Sequence, residues 1–199
     1  MGTTCNVVVL ISGSGSNLQA LIDSQHEGNP ARIRAVIANR ADAFGLTRAK
    51  GAGIPTAVLD HKAFDGREAF DAALMELIDA HAPDLVILAG FMRILGPAFL
   101  AQFEGRTINT HPSLLPSFPG AHAVKDALAH GVKVTGCTVH YVDAGLDSGR
   151  IIAQRAVEVN AGDTEAELHE RIKKAEREQI VELLHNADIV NGKAVFNVN

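Results

Sequence analysis

The sequence predicts an α/β protein: a doubly wound, mostly parallel sheet with helices on both faces. Three observations predict it. Short apolar runs bounded by glycine, proline or polar residues recur along the first ninety residues. Segments with helical spacing separate them. A run such as NVVVLIS (residues 6–12) is apolar without alternation, as in a strand buried on both faces. Strands that alternate with helices must pair in parallel, with right-handed crossovers.

The elements follow in order. After the first strand, Gly13-Ser14-Gly15-Ser16-Asn17 breaks the run, and Leu18, Leu21 and Ile22 then keep helical spacing. RIRAVIA (residues 32–38) reads as the second strand. Residues 41–50 read as a helix closed by Gly51 and Gly53, and residues 54–59 as a third strand. Residues 64–80 place Phe70, Ala73, Leu74, Leu77 and Ile78 on one helical face, and DLVILA (84–89) is a fourth buried strand. Beyond Gly90 the rhythm changes. FMRIL (91–95) is apolar but follows a strand, and residues 106–110 form a short strand. Residues 111–120 carry Pro112, Pro116 and Pro119 and must be an irregular loop. Residues 132–143 alternate as a strand, and 151–159 read as another, the two forming a hairpin-like or long-loop pair across 144–150. Residues 164–184 make a long amphipathic helix with Leu168, Ile172, Ala175, Ile180 and Leu183 inward, capped by Asp163-Thr164. The tail from Asn186 is polar and weakly patterned. The sheet is therefore expected to become mixed toward the C-terminal half. Residues 1–199 are expected to form a single domain.

Composition narrows the function. A chain of 199 residues buries about 70% of the surface its unfolded form exposes, so a full core needs neither disulfide nor metal. With no tryptophan and one tyrosine, that core rests on aliphatic side chains. A net charge of −5 attracts no polyanion, so a nucleic-acid partner is disfavoured, while a local basic pocket for a phosphorylated metabolite is not. Cys5 and Cys137 lack any metal or disulfide spacing and read as buried reduced thiols. The start Met1-Gly2 is followed by Asn6 where a myristoylation pattern needs Ser or Thr. No signal-like segment appears, and no run approaches the roughly 18 apolar residues that span a bilayer. A cytoplasmic protein acting on small molecules is expected, with no membrane partner.

A strand, then Gly13-Ser14-Gly15-Ser16-Asn17, then a helix is suited to bind an anion. Backbone N–H groups at the helix start point outward, and the helix dipole adds about half a positive charge there. The dinucleotide fingerprint fails: Leu18 replaces its third glycine, and Asn39-Arg40 ends the second strand where an acid would meet a ribose diol. No Gly-Lys-Ser/Thr follows, so a Walker loop is excluded. A terminal phosphate is the better reading, against an ordinary strand-to-helix turn.

In Asn109-Thr110-His111-Pro112, alternation sets Asn109 and His111 on one face, and Pro112 keeps His111 extended. Both therefore project from the C-terminal end of a strand, the edge at which open α/β sheets bind ligands. An amide N–H and an imidazole can together stabilise an oxyanion on a carbonyl carbon. A carboxylate such as Asp147 would favour the imidazolium if the fold brought it near. Taken alone, Asn109 and His111 are more often loop hydrogen-bonders and Asp147 a turn former; no residue pattern joins them. HExxH fails at Lys173, and no GxSxG elbow is present.

At these residues the chain resembles the folate-dependent glycinamide ribonucleotide formyltransferases. The likeness covers nearly the whole chain. It rests on Ile11-Ser12-Gly13-Ser14-Gly15-Ser16-Asn17-Leu18, Ala41-Asp42-Ala43-Phe44-Gly45 and Leu88-Ala89-Gly90-Phe91-Met92-Arg93-Ile94-Leu95. Asn109-Thr110-His111-Pro112-Ser113-Leu114-Leu115-Pro116 and Leu146-Asp147-Ser148-Gly149 complete it. The resemblance implies a Rossmann-like formyltransferase fold, with residues 1–90 the phosphate-binding half and 91–199 the folate-binding and catalytic half. It implies 10-formyltetrahydrofolate as co-substrate, 5-phosphoribosyl glycinamide as acceptor, no metal, and a monomer or homodimer. Gly15, Ser16 and Asn17 would hold the acceptor phosphate and Glu176 its ribose hydroxyls. Arg67, Met92, Arg93, Ile94, Leu95, Asn109, Val142, Asp143 and Ala144 would line the folate site. Asn109 and His111 would stabilise the tetrahedral oxyanion, and Asp147 would support the histidine and move protons. Arg150 departs from the family, standing where a proline usually follows the Asp-x-Gly motif; Ser117 replaces a residue that is basic in some members.

Competing readings differ in checkable ways. A methionyl-tRNA formyltransferase would add a basic RNA-binding domain, absent from an acidic 199-residue chain. A 10-formyltetrahydrofolate hydrolase would carry an N-terminal regulatory domain ahead of the first strand. An inactive phosphate-binding module would retain Asn109, His111 and Asp147 by coincidence.

Overall fold

The computed structural model describes residues 4–25 and 28–196; the Met1-Gly2 start lies outside them. The expected alternation is present. Strands β1 (Cys5–Ile11), β2 (Ala31–Ala38), β3 (Thr56–Val58), β4 (Leu85–Leu88) and β5 (Thr107–His111) run parallel in the order β3-β2-β1-β4-β5. Strands β6 (Val134–Tyr141) and β7 (Ile151–Glu158) then extend the same sheet antiparallel, giving seven strands. The residue 132–143 and 151–159 segments are thus one antiparallel pair, and the sheet is mixed at its C-terminal end.

β1 shows why the run lacks alternation. Val7, Val9 and Ile11 enter one core, whereas Val8 and Leu10 enter the other. Helices α1 (Ser16–Ser24), α2 (Phe44–Gly51) and α6 (Glu165–His185) cover the first face through Leu18, Leu21, Leu46, Ala49, Ile180 and Leu183. Helices α3 (Arg67–Asp79) and α4 (Pro97–Gln102) cover the second through Phe70, Leu74, Ile78 and Phe99. Each of the leucine, isoleucine and phenylalanine side chains among them, fully buried, contributes roughly 1.5–3 kcal/mol. Helix α5 (Ala123–His130) packs Val124 with Leu168 and Ile172 of α6 against Cys137 of β6.

Helix starts move inward of the sequence expectation where the backbone turns. α3 begins at Arg67 because Gly66 sits at φ 94, and Phe64, ahead of it, packs edge-on against Phe70 at 5.8 Å. α2 begins at Phe44 because Ala43 is extended. α6 starts as expected, with a reciprocal capping box between Thr164 and Glu167. Helices α4 and α5, a 3-10 turn at His61–Ala63, and a hairpin of β8 (Ala187–Val190) and β9 (Lys193–Phe196) escaped the pattern. The weakly patterned tail is therefore ordered through 196. It lays Ala194 and Phe196 on the first core, and Asn191 and Gly192 turn it with positive φ. Among the described residues no helix is long and apolar enough to cross a membrane.

Candidate active site

The C-terminal ends of β1, β4 and β5 lie side by side, and the sequence motifs converge there. The turn after β1 is fixed by contacts that only glycine permits. Gly15 stands at φ 70 and begins α1 with no side-chain cap. A Cβ at Gly15 would meet Gly45 Cα at 2.7 Å, so the turn and the start of α2 touch backbone to backbone. Gly45 N–H donates to the Gly13 carbonyl at 3.1 Å, and Arg48 Nε donates to the Ser14 carbonyl at 2.8 Å. The first N–H groups of an uncapped nine-residue helix are therefore presented at this edge. A cleft of about 430 Å³ between α1 and α6 has Ser16, Gln19 and Arg177 in its wall.

Ser12 ties this turn to the neighbouring strand end. Its Oγ donates to Asn39 Oδ1 at 2.5 Å and accepts from Met92 N–H at 2.8 Å. The segment after β4 is thereby held over the sheet edge. Met92 and Ile94 are exposed on it, while Leu95 packs into the second core. Arg93 lies 5.6 Å from the centre of the Phe70 ring. Arg67 opens α3 nearby, its Nε 3.5 Å from where a Cβ on Gly96 would stand.

β5 divides its side chains as alternation requires. Thr110 Oγ1 faces the glycine-serine turn and accepts from Asn17 Nδ2 at 3.3 Å. Asn17 Oδ1 is buried without a partner. Glu176 of α6 is also buried here, 6% exposed. Burial pushes its carboxyl up to about 7, opposed by Lys173, Arg177 and the Asn17 amide.

Asn109 and His111 take the other face. His111 is buried, and its Nε2–H donates to the Phe118 carbonyl at 2.9 Å. Its Nδ1 lies 3.4 Å from Asp147 Oδ2. Both partners are acceptors, so only a ring protonated on both nitrogens can donate to both. Asp147 sits at φ 50 and accepts from Gly120 N–H at 2.8 Å, which fixes the carboxylate. The loop that carries it is braced by Asp143, whose Oδ1 accepts from Gly145 N–H at 3.1 Å and Ser148 Oγ at 2.8 Å. Gly149 closes the loop where a Cβ would collide with the Tyr141 carbonyl at 1.7 Å. Arg150, the departure from the proline pattern, lays its guanidinium 4.8 Å from the centre of the Tyr141 ring and so leaves the loop exit formed.

A fourth side chain was missed from sequence. His140 of β6 stands directly opposite Asn109 in the antiparallel register. Its Nδ1–H donates to the Tyr141 carbonyl at 2.9 Å, leaving Nε2 to accept from Asn109 Nδ2 at 3.3 Å. Nε2 is also 3.8 Å from Asp147 Oδ1. Burial pushes the His140 pKa down, against the Tyr141 carbonyl and Asp147, which keeps the ring neutral and this tautomer in place. Alternation marks His140 as facing one side of β6, but only the register shows its partner.

The edge thus combines an amide with one N–H left over, an imidazole held between two acceptors, and a carboxylate. An uncapped helix end lies across the same strand. Such a set can stabilise an oxyanion and accept a proton. Among the described residues no group of three His, Cys, Asp or Glu side chains is arranged to hold a metal ion.

Residues 5–184 match the formyl transferase family. The phosphoribosylglycinamide formyltransferase of Escherichia coli K12 is 52% identical over 172 residues, covering 86% of this chain and 81% of that protein. The Mycobacterium tuberculosis protein of the same name is 53% identical over 175 residues, covering 88% and 81%. The crystal structure of glycinamide ribonucleotide transformylase 1 from Symbiobacterium toebii superposes with a TM-score of 0.91 at 47% identity. That match spans 98% of this chain and 95% of the other.

Proposed function

The chain belongs to the formyl transferase family, and from that premise we propose that it is a cytoplasmic phosphoribosylglycinamide formyltransferase of purine biosynthesis. It transfers the formyl group of 10-formyltetrahydrofolate to the amine of 5-phosphoribosyl glycinamide. One observation carries the reading: Asn109, His111, His140 and Asp147 meet at one sheet edge, and the other face of β5 touches the uncapped helix that starts at Gly15.

The acceptor phosphate binds the N–H groups of Ser16 and Asn17 after the Gly15 turn. Asn17 turns its side-chain amide toward Thr110, so its backbone N–H meets the phosphate. Glu176 accepts from the ribose hydroxyls. The donor lies along residues 91–95, where exposed Met92 and Ile94 suit an aromatic ring system and Arg67 and Arg93 suit its carboxylates. Val142, Asp143 and Ala144 border the donor from the facing loop. The substrate amine attacks the formyl carbon directly. The carbonyl oxygen becomes an oxyanion, which the free Nδ2–H of Asn109 and the His111 Nδ1–H stabilise. Asp147 takes up the proton that the amine loses, directly or through a water, and passes it on to the folate nitrogen, which leaves as N–H. The products are the N-formyl glycinamide and tetrahydrofolate.

Purified protein given both substrates should release tetrahydrofolate in step with a product 28 mass units heavier than the acceptor. Formate released without acceptor would instead establish the hydrolase, and no consumption of donor would overturn both readings.

Glu176 sets a pH dependence. A carboxyl raised to about 7 is half ionised there, and the ionised form is the stronger acceptor for hydroxyls. Between pH 6 and 8 its ionised fraction rises roughly tenfold, so the acceptor KM should fall by a similar factor. The neighbouring Cys137 thiol, pushed up to about 12 by burial, does not titrate in that range. Glu176→Gln should raise the acceptor KM and flatten that dependence; an unchanged slope would remove the role. The same burial has a stability sign. The folded state holds a proton that the unfolded chain releases above about pH 4.5, so stability falls as pH rises from there to about 7. The loss is on the order of 3 kcal/mol, and the glutamine variant should lack it.

A further inference from the structure

One buried acid has no part in the chemistry above. Asp71 of α3 is 3% exposed. Its Oδ2 accepts from Gly96 N–H at 2.6 Å, while its Oδ1 is buried with no hydrogen-bond partner. Arg93 Nε is likewise buried and unpartnered. Burial raises the Asp71 carboxyl, and the Gly96 N–H and the charges of Arg67 and Arg93 oppose that rise. A Cβ on Gly96 would stand 2.7 Å from Asp71 Oδ2 and 3.5 Å from Arg67 Nε. Gly96 has φ −84, which any residue adopts, so the glycine is there for room and not for conformation.

A carboxylate so placed is costly. An incompletely paired buried charge is strongly unfavourable, and an apolar residue of similar size commonly stabilises such a helix contact more. What the acid does achieve is local. It pins the end of the 91–96 segment to α3 and sets a carboxylate within the electrostatic reach of Arg67 and Arg93. We propose that Asp71 is a positioning residue of the donor pocket: it never touches folate, but it anchors the 91–96 segment and gathers Arg67 and Arg93 beside it. The proposal rests on the donor-pocket reading given above.

Two variants test it from opposite directions. Asp71→Asn keeps the shape and an acceptor for Gly96 N–H but removes the charge. Gly96→Ala keeps the charge but displaces the carboxylate. Each should raise the donor KM about tenfold, with the acceptor KM and kcat within twofold of wild type. Calorimetric titration with tetrahydrofolate should show the same weakening, and thermal unfolding should stay cooperative. Unchanged donor KM in both folded variants overturns the proposal. So does equal loss in every kinetic constant, or failure of both variants to fold, because each assigns Asp71 to stability alone. Wild-type protein that binds tetrahydrofolate but transfers no formyl group would sink the functional reading and leave the calorimetric comparison intact; wild type that binds no tetrahydrofolate would sink both.

Discussion

Asp147→Asn is expected to lower kcat at least about a hundredfold, while thermal stability and both KM values stay near wild type. Proton transfer by a placed side chain typically contributes 10²- to 10⁴-fold, and asparagine can neither take up a proton nor set a carboxylate beside His111 Nδ1. Asparagine is also the fairest probe of this position. Asp147 sits at φ 50, a conformation that asparagine tolerates well among side chains with a Cβ. Its amide oxygen can still accept from Gly120 N–H, the contact that holds the two loops together. The fold should therefore survive, and circular dichroism with a melting curve would check that. The effect should also be a kcat effect, because the carboxylate acts on charge that develops only as the amine attacks. Turnover within a fewfold of wild type, in a folded variant, would leave Asp147 as the turn former that the residue 143–149 pattern equally suggests.

Much of this site was legible from particular residues. Fully apolar runs at β1 and β4 disclosed strands buried on both faces, and from them the parallel sheet. Pro112 disclosed that His111 is extended, and strand alternation put Asn109 beside it on one face. What stayed hidden depends on contacts between distant segments. His140 gains its meaning from standing opposite Asn109, and no local pattern sets that register. Asp71 reads as one polar position on an amphipathic helix; only packing shows that Gly96 makes room for it. The short helices α4 and α5 have too few turns to display a period, although Pro97 stands at the first position of α4, where proline starts helices. The β8–β9 hairpin did leave a signal, the Asn191-Gly192 pair between two short alternating stretches. Four-residue strands surrounded by polar residues obscured it.

Asn109→Ala should cost 10²- to 10³-fold in kcat, the usual loss for one oxyanion donor, or about 3 kcal/mol. The argument starts from its two amide hydrogens. One is held by His140 Nε2, whose ring is locked as acceptor by the Tyr141 carbonyl; the other is left free, and in the proposed mechanism it meets the oxyanion. If the donor's value depends on that hold, removing the holding group should cost less than removing the donor. His140→Asn is expected to lose about tenfold, because the amide remains but rotates. The double variant should then be no slower than Asn109→Ala alone, since residues acting through one another are not additive. Losses that simply multiply would mean that His140 acts on the substrate by itself. A folded Asn109→Ala enzyme at near wild-type kcat would mean that the oxyanion is stabilised from elsewhere.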